Sequence, residues 1–313
     1  MRVIYMGTPA FSVPPLDLLV ETGYQVVGVY TQPDRQAGRG RSMLAPPIKG
    51  YAEEHGLRVL QPTSLGFPDV YAELVSLKPD IIIIASYGKI LPKEVVNLPP
   101  LGCVNIHPSL LPRHRGPSPV AFTILEGDEA AGVTLMLLDE GTDSGPIIAQ
   151  EEKLQLPQDT EATLTDRLFR AGAELLVQSL PRYRQGGLVP RPQEEAQATY
   201  ARKLTKEDGL IQWNLSAEAL WRQVRAYSPW PGSYTHWQGK LLKVLDAVPQ
   251  PGGPSGPPGK VVFLETRAPV AVGVVTGEGV LRLKRVQLEG KRDVGAGDFL
   301  QGYEGFEGSV LPC

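Results

Sequence analysis

The sequence predicts a doubly wound α/β domain followed by a small β-barrel domain. Three observations carry this. Short, almost wholly apolar runs alternate with helix-patterned stretches through the first half, the texture turns polar and proline-spaced after Leu180, and a series of alternating strands with Gly/Pro-rich turns follows. The length of 313 residues suits about two domains.

RVIYMG (2–7), QVVGVY (25–30) and DIIIIAS (80–86) are β-branched or apolar runs with turn residues behind them, and GCVNIH (102–107) and GVTLMLLDE (132–140) continue the series. Between them, 14–22 and 48–55 read as helices, the second closed by Gly56. Continuous apolar strands separated by helices imply a parallel sheet covered on both faces. Residues 160–180 set Leu164, Leu168, Ala171, Leu175 and Ser179 at helical spacing, which predicts a long amphipathic helix. Residues 181–205, PRYRQGGLVPRPQEEAQATYARKLT, read as connecting sequence. The expected division is a first domain at 1–188, a linker at 189–205 and a second domain at 206–313. The second domain holds one helix-like segment (216–226) and the strands KLLKVLDAV, GKVVFLE, VAVGVVTG and VLRLKRVQL, with QPGGPSGPPG (250–259) as the clearest turn. Short alternating strands with such connections predict a small β-barrel.

Composition narrows the function. A formal net charge of −3 gives no whole-chain basic field for nucleic acid, although it permits a local patch. Cys103 and Cys313 are too few for a disulfide framework, and no Cys or His pair has zinc-finger spacing. The start, MRVIYMGTPAF, lacks the apolar core of a signal peptide, and no apolar run reaches the ~20 residues that span a bilayer. The expectation is a soluble cytoplasmic protein without a metal. MGTPAF lacks both G-x-G-x-x-G and G-K-[ST], which argues against dinucleotide and ATP sites.

Chemistry concentrates in CVNIHPSLLPRHRGPSP (103–119). On an extended strand Cys103, Asn105 and His107 share one face, with Asn105 and His107 about 6.6 Å apart along the strand. A ligand crevice lies beyond the carboxyl ends of the strands in open α/β sheets. His exchanges a proton near neutral pH, and an Asn amide donates to a developing oxyanion. A second cluster, LLDEGTDSGPI (137–147), packs Asp139, Glu140 and Asp143 among glycines, and an Asp beside the His would fix its tautomer. Spacing alone does not choose between Asp139 and Asp143. Cys103 is a competing nucleophile, although a Cys inside a strand is more often a small hydrophobe. QPDRQAGRGRSMLAPPIK (32–49) sets Arg35, Arg39, Arg41 and Lys49 against the single acid Asp34, a basic arm able to reach phosphates.

Together these pieces resemble the folate-dependent formyltransferases, over nearly the whole chain. The resemblance rests on MGTP (6–9), QPDRQAGRGR (32–41), SYGKILP (86–92), NIHPSLLPRHRG (105–116), DEGTDSG (139–145) and YSPWPGSY (227–234). Pro108 and Ser86 depart mildly from the family's pattern. The resemblance implies a Rossmann-like catalytic domain and an OB-like barrel. It implies 10-formyltetrahydrofolate as donor and, through the arm and barrel, the α-amine of methionyl initiator tRNA as acceptor. By motif, the catalytic residues are Asn105, His107 and Asp143. The folate contacts are Ser109, Leu110, Leu111 and Pro112, with Tyr87, Gly88 and Leu91 on an adjacent loop. Arg35, Arg39, Arg41, Lys49, Lys203 and Lys206 are the implied tRNA contacts. No obligate protein partner is expected, and the chain is expected to be a monomer. The alternatives are a formyl-folate enzyme with a small acceptor, a formyl-folate hydrolase, or a non-catalytic RNA-binding protein on the same scaffold.

Overall fold

The computed structural model describes residues 1–37, 42–154, 157–264 and 271–313. Chain contacts divide it into two units: Met1–Pro119, Ala130–Leu154 and Thr165–Ala201 form the first, and Val120–Glu129, Gln155–Leu164 and Arg202–Cys313 the second. Among the described residues no helix is long and apolar enough to cross a membrane.

The first unit contains, in chain order, β1 (Arg2–Gly7), α1 (Val13–Glu21), β2 (Gln25–Tyr30), β3 (Arg35–Ala37), β4 (Ser42–Leu44), α2 (Pro47–Glu54), β5 (Val59–Leu60), α3 (Pro68–Ser76), β6 (Ile81–Ala85), α4 (Lys93–Val96) and β7 (Cys103–His107). α5 (Pro119–Glu126) falls almost wholly in the second unit, and β8 (Ala130–Leu137), β9 (Ile147–Leu154) and most of α6 (Glu161–Arg184) return to the first. Proline occupies the first turn of α1, α2 and α3, where its missing N–H costs no helix hydrogen bond.

Seven strands form one sheet in the order β5-β2-β1-β6-β7-β8-β9. Side-chain alternation splits the core between its faces. Val3, Tyr5, Ile81, Ile83, Val104 and Ile106 pack with α1, α2 and α6, while Ile4, Met6, Ile82, Ile84 and Cys103 pack with Leu74 of α3 and Val95 of α4. The chain starts in the middle at β1, winds outward to β2 and β5, and resumes on β1's other side at β6. The carboxyl ends of β1 and β6 therefore flank a switch point. There the loop after β6 is pinned: Thr8 Oγ1 and Gln32 Nε2 both donate to the Tyr87 carbonyl, at 2.9 and 3.0 Å.

The expectation of a parallel sheet throughout is corrected at its edge. β1, β2, β5, β6 and β7 are parallel, but β8 runs antiparallel to β7, and β9, absent from the sequence reading, antiparallel to β8. Leu137 lies opposite Val104 and Thr134 opposite His107. The loop after β8 therefore leaves near the amino end of β7, not beside its carboxyl end.

The second unit adds α7 (Ala217–Ala226), β10 (Ser233–Trp237), β11 (Lys240–Gln250), β12 (Val261–Leu264), β13 (Ala271–Val275), β14 (Val280–Leu288), β15 (Asp293–Gly295) and α8 (Ala296–Gly302). Ser216 caps α7 by accepting from Ala219 N–H at 3.2 Å. The strands pair antiparallel in the order β10-β11-β14-β13-β12, with β15 on β14. The C-terminal tail bridges both edges. Val261 N–H donates to Ser309 O and Leu311 N–H to Gly259 O, both at 2.8 Å, while Cys313 N–H donates to His236 O at 3.1 Å. The sheet closes on itself through this tail, around a core that includes Trp213, Trp237, Phe299 and Phe306.

Candidate active site

β7 delivers Asn105 and His107 to the same face. Asn105 is half-buried, whereas His107 is 4 % exposed. Beyond them the chain turns inward under its own polar contacts. Ser109 Oγ donates to Arg113 O at 2.7 Å, and Thr134 Oγ1 donates to Ser109 O at 2.6 Å while accepting from Leu111 N–H at 3.2 Å.

The third polar residue arrives by a loop that doubles back. Leu137 N–H donates to Pro146 O at 2.9 Å, which closes the base of the excursion 138–145. Asp139 is consumed inside it, accepting from Gly141 N–H at 2.9 Å and from Ser144 Oγ at 3.0 Å. Asp143, at a left-handed φ of 50°, turns toward β7 instead. Its Oδ2 accepts from Gly116 N–H at 2.8 Å and lies 3.7 Å from His107 Nδ1. The choice between the two aspartates left open by spacing is thus made by loop geometry.

The imidazole has a defined proton position. His107 Nε2 lies 3.1 Å from the His114 carbonyl, which can only accept, so Nε2 carries the proton and Nδ1 presents a lone pair toward Asp143. Burial pushes the His107 pKa below the ordinary 6.5, against opposing pulls from the Asp143 carboxylate and the His114 carbonyl, and the His114 ring adds to the depression. A neutral imidazole beside a carboxylate can take up a proton and have the resulting cation stabilised in place.

A cavity of about 1080 Å³ opens beside these groups. Asn105, Gly116, Pro117 and residues 138–143 form one wall, while Ser86, Tyr87, Gly88, Lys89, Ile90 and Leu91 form another. Lys93 of α4 pairs with Glu140, linking the two walls. Among the described residues, five non-glycines have positive φ, and Ser86, His114 and Asp143 are three of them, so backbone strain gathers around this site.

The predicted folate contacts divide. Tyr87, Gly88 and Leu91 line the cavity, but Ser109, Leu110, Leu111 and Pro112 are not among its walls. Ser109 and Leu111 are 1 % and 3 % exposed, with Leu111 packed on Met136 and Ile147. Ser109 and Leu111 thus turn their side chains inward, whereas Leu110 and Pro112 are partly exposed. Cys103 is also withdrawn: it is 1 % exposed, points its Sγ at the Val95 and Val96 carbonyls, and burial pushes its thiol up to about 12.

Residues 1–180 match the family model described as "Formyl transferase", and residues 203–304 match "Formyl transferase, C-terminal domain". The chain belongs to the formyl transferase family. Methionyl-tRNA formyltransferase from Chloroflexus aggregans is 47 % identical over 302 residues, covering 96 % of this chain and 97 % of that one. The protein of the same name from Dehalococcoides mccartyi (strain CBDB1) is 46 % identical over 314 residues, covering 99 % and 98 %. Among solved structures, HypX from Aquifex aeolicus in complex with tetrahydrofolic acid aligns with a TM-score of 0.66 at 20 % identity over 99 % of this chain. This chain spans about half of HypX, 48 %. The N-formyltransferase from Helicobacter canadensis in complex with folinic acid and dTDP-3-aminofucose aligns at 0.67 and 17 % identity, covering 90 % and 98 %. These structural likenesses show the formyl transferase fold.

Of the basic residues in this formyl transferase, Arg39 and Arg41 lie outside the described residues. Arg35 is exposed on β3, and Lys203 and Lys206 are exposed after Ala201. Lys49 has a partner: its Nζ donates to Asp34 Oδ2 at 2.8 Å, and Gln61 Nε2 holds the other oxygen of that carboxylate at 2.7 Å. It ties down the root of the arm. Sequence reasoning missed Gly116 and Pro117 on the wall, Thr134 beneath it, and the segment 191–201, whose polar composition gave no sign of a role.

Proposed function

We propose that the chain transfers the formyl group of 10-formyltetrahydrofolate to the α-amine of methionyl initiator tRNA, giving N-formylmethionyl-tRNA and tetrahydrofolate in the cytoplasm, and that it acts as a monomer. The carrying observation is the near-full-length identity of 46–47 % to methionyl-tRNA formyltransferases. The cavity that Asn105 and Asp143 line, with His107 behind them, supports the same reading.

The neutral amine attacks the formyl carbon, a new C–N bond forms, and the carbonyl electron pair moves onto oxygen. Asn105 donates its amide N–H to that oxyanion. The amine proton passes to His107 Nδ1, the nitrogen with the free lone pair, and Asp143 stabilises the imidazolium. Collapse of the intermediate breaks the bond to the folate nitrogen, which leaves with the proton returned by His107. The lowered imidazole pKa keeps the base neutral at physiological pH.

The donor occupies the cavity walled by Tyr87, Gly88 and Leu91. Arg35, Arg39 and Arg41 meet the tRNA acceptor end, Lys203 and Lys206 add phosphate contacts, and the C-terminal domain holds the tRNA body. No metal enters any step. Incubation with 10-formyltetrahydrofolate and methionyl initiator tRNA is expected to yield tetrahydrofolate and formylated tRNA in equal amounts. Tetrahydrofolate and free formate, without tRNA product, would overturn the assignment.

A further inference from the structure

The segment expected to be a linker runs as a strap along the candidate site. Arg191 and Ile147 exchange both backbone hydrogen bonds at 2.8 Å. Arg115 N–H donates to Thr199 O at 2.9 Å, Ala201 N–H to Arg115 O at 2.7 Å, and His114 N–H to Thr199 Oγ1 at 2.8 Å. The strap thus binds both the 112–116 segment that carries His107's carbonyl partner and the start of β9 behind the Asp143 loop.

Between these anchors sits Gln193. Its Nε2 donates to the Asp143 carbonyl at 2.8 Å and to the Gly145 carbonyl at 2.7 Å, and its Oε1 accepts from Arg115 Nε at 3.0 Å. Two carbonyls can only accept and a guanidinium can only donate, so one orientation of the amide satisfies all three contacts. Arg115 is itself immobilised: it is 1 % exposed, and its Nη1 donates to both Glu195 carboxylate oxygens at 2.9 and 3.1 Å.

We propose that Gln193 is a positioning residue for the formyl transfer, holding Asp143 against His107, with Arg115 locking the Gln193 amide. The catalytic consequence rests on the function proposed above; the contact does not. Asp143 keeps a left-handed backbone that a non-glycine residue adopts only when its surroundings enforce it. Gly116 N–H fixes its carboxylate, and Gln193 fixes its peptide group on the other side. Lys93 also holds this loop, through Glu140, but Gln193 is what grips the Asp143 and Gly145 carbonyls; without it the Asp143 peptide is released and the carboxylate drifts from the imidazole.

The test uses Gln193→Met, which keeps length but removes every polar contact, and Gln193→Glu, which keeps an acceptor for Arg115 and removes both donors. The groups facing His107 are Asp143 from the 138–145 loop and His114 from the segment after β7. An NMR titration of the His107 ring is expected to give a lower midpoint in Gln193→Met than in the wild type, because the carboxylate that raises it has moved away. Expressed per folate-binding site, kcat is expected to fall about 10- to 100-fold in both variants, with both KM values within about threefold. A Gln193→Met protein with an unchanged His107 midpoint and unchanged kcat per site would overturn the proposal. If that variant does not fold, Gln193→Glu decides: a wild-type kcat per folate-binding site overturns it, and a selective loss of kcat supports it. A wild type that transfers no formyl group while the titration still separates it from Gln193→Met strikes the proposed function and leaves the Gln193 contact standing.

Discussion

Gly145→Ala puts the loop geometry to a quantitative test. A Cβ at position 145 would lie 1.9 Å from the Leu137 carbonyl oxygen and 3.0 Å from its carbon, whereas Cβ contacts under 3.0 Å essentially do not occur. The two ends of the excursion must separate by at least the difference, 3.0 − 1.9 = 1.1 Å. β8 cannot yield, because Val133 and Leu135 are buried in the core at 0 % and 1 % exposure, so the movement falls on the loop. Asp143 stands two residues from the substitution and 3.7 Å from His107. A displacement of about 1 Å at a reacting group costs about 10²-fold, which is about 2.7 kcal/mol of barrier at 1.36 kcal/mol per decade. The assay is kcat for formyl transfer at saturating donor and acceptor, with folate affinity and circular dichroism as checks on folding. Gly50→Ala is the control: it lies inside α2 with nothing within 4 Å of its Cβ, so it is expected to keep full kcat and gain up to about 1 kcal/mol of stability. A folded Gly145→Ala protein with kcat within about threefold of wild type would refute the claim that the loop base sets Asp143.

Asn105→Ala is expected to lower kcat about 10²- to 10³-fold, with donor affinity largely retained; near-normal turnover removes Asn105 from the mechanism. In Asp143→Asn the pull that raises the His107 pKa disappears while burial remains, so the maximal rate should drop and the acid limb of the kcat–pH profile should move to lower pH. A limb that moves to higher pH contradicts the assigned electrostatics. Cys103→Ala should leave kcat within about twofold and cost about 1 kcal/mol of stability, because a thiol pushed up to about 12 supplies almost no thiolate at neutral pH; a loss beyond tenfold would reinstate the thiol. Arg41→Ala should raise KM for tRNA and flatten its dependence on salt, with donor affinity unchanged. An unaltered salt slope means that the arm does not touch phosphate.

The central strands were legible because they are buried on both faces, so runs such as IIIIA carry a signal that no surface element imitates. Strand direction was not legible. GVTLML has the same apolar texture whichever way it runs, and only pairing distinguishes an antiparallel β8 from a fifth central parallel strand. β9 escaped because IIAQEEKL is half exposed and lacks a continuous run. At the site, Asn105 and His107 could be placed on one face from the two-residue period of a strand alone. Asp143 could not, since Asp139 has the same chemistry and only its capture by Gly141 and Ser144 excludes it. The SLLP contacts came from the family resemblance, because an apolar pattern does not say whether a side chain faces a ligand or a core; Leu111 packs on Met136 and Ile147. The strap was invisible for the opposite reason. Gln193 works through two backbone carbonyls, and carbonyls have no sequence signature.

The most direct measurement offers 10-formyltetrahydrofolate with methionyl initiator tRNA, methionyl elongator tRNA and no acceptor in parallel, and follows formylated product and tetrahydrofolate together. The expected result is formyl-methionine mainly on the initiator, matched one for one by tetrahydrofolate, with little turnover when acceptor is omitted. Equal tetrahydrofolate release in all three reactions, without formylated tRNA, would contradict the account and leave an Asn105–His107–Asp143 site serving a different acceptor.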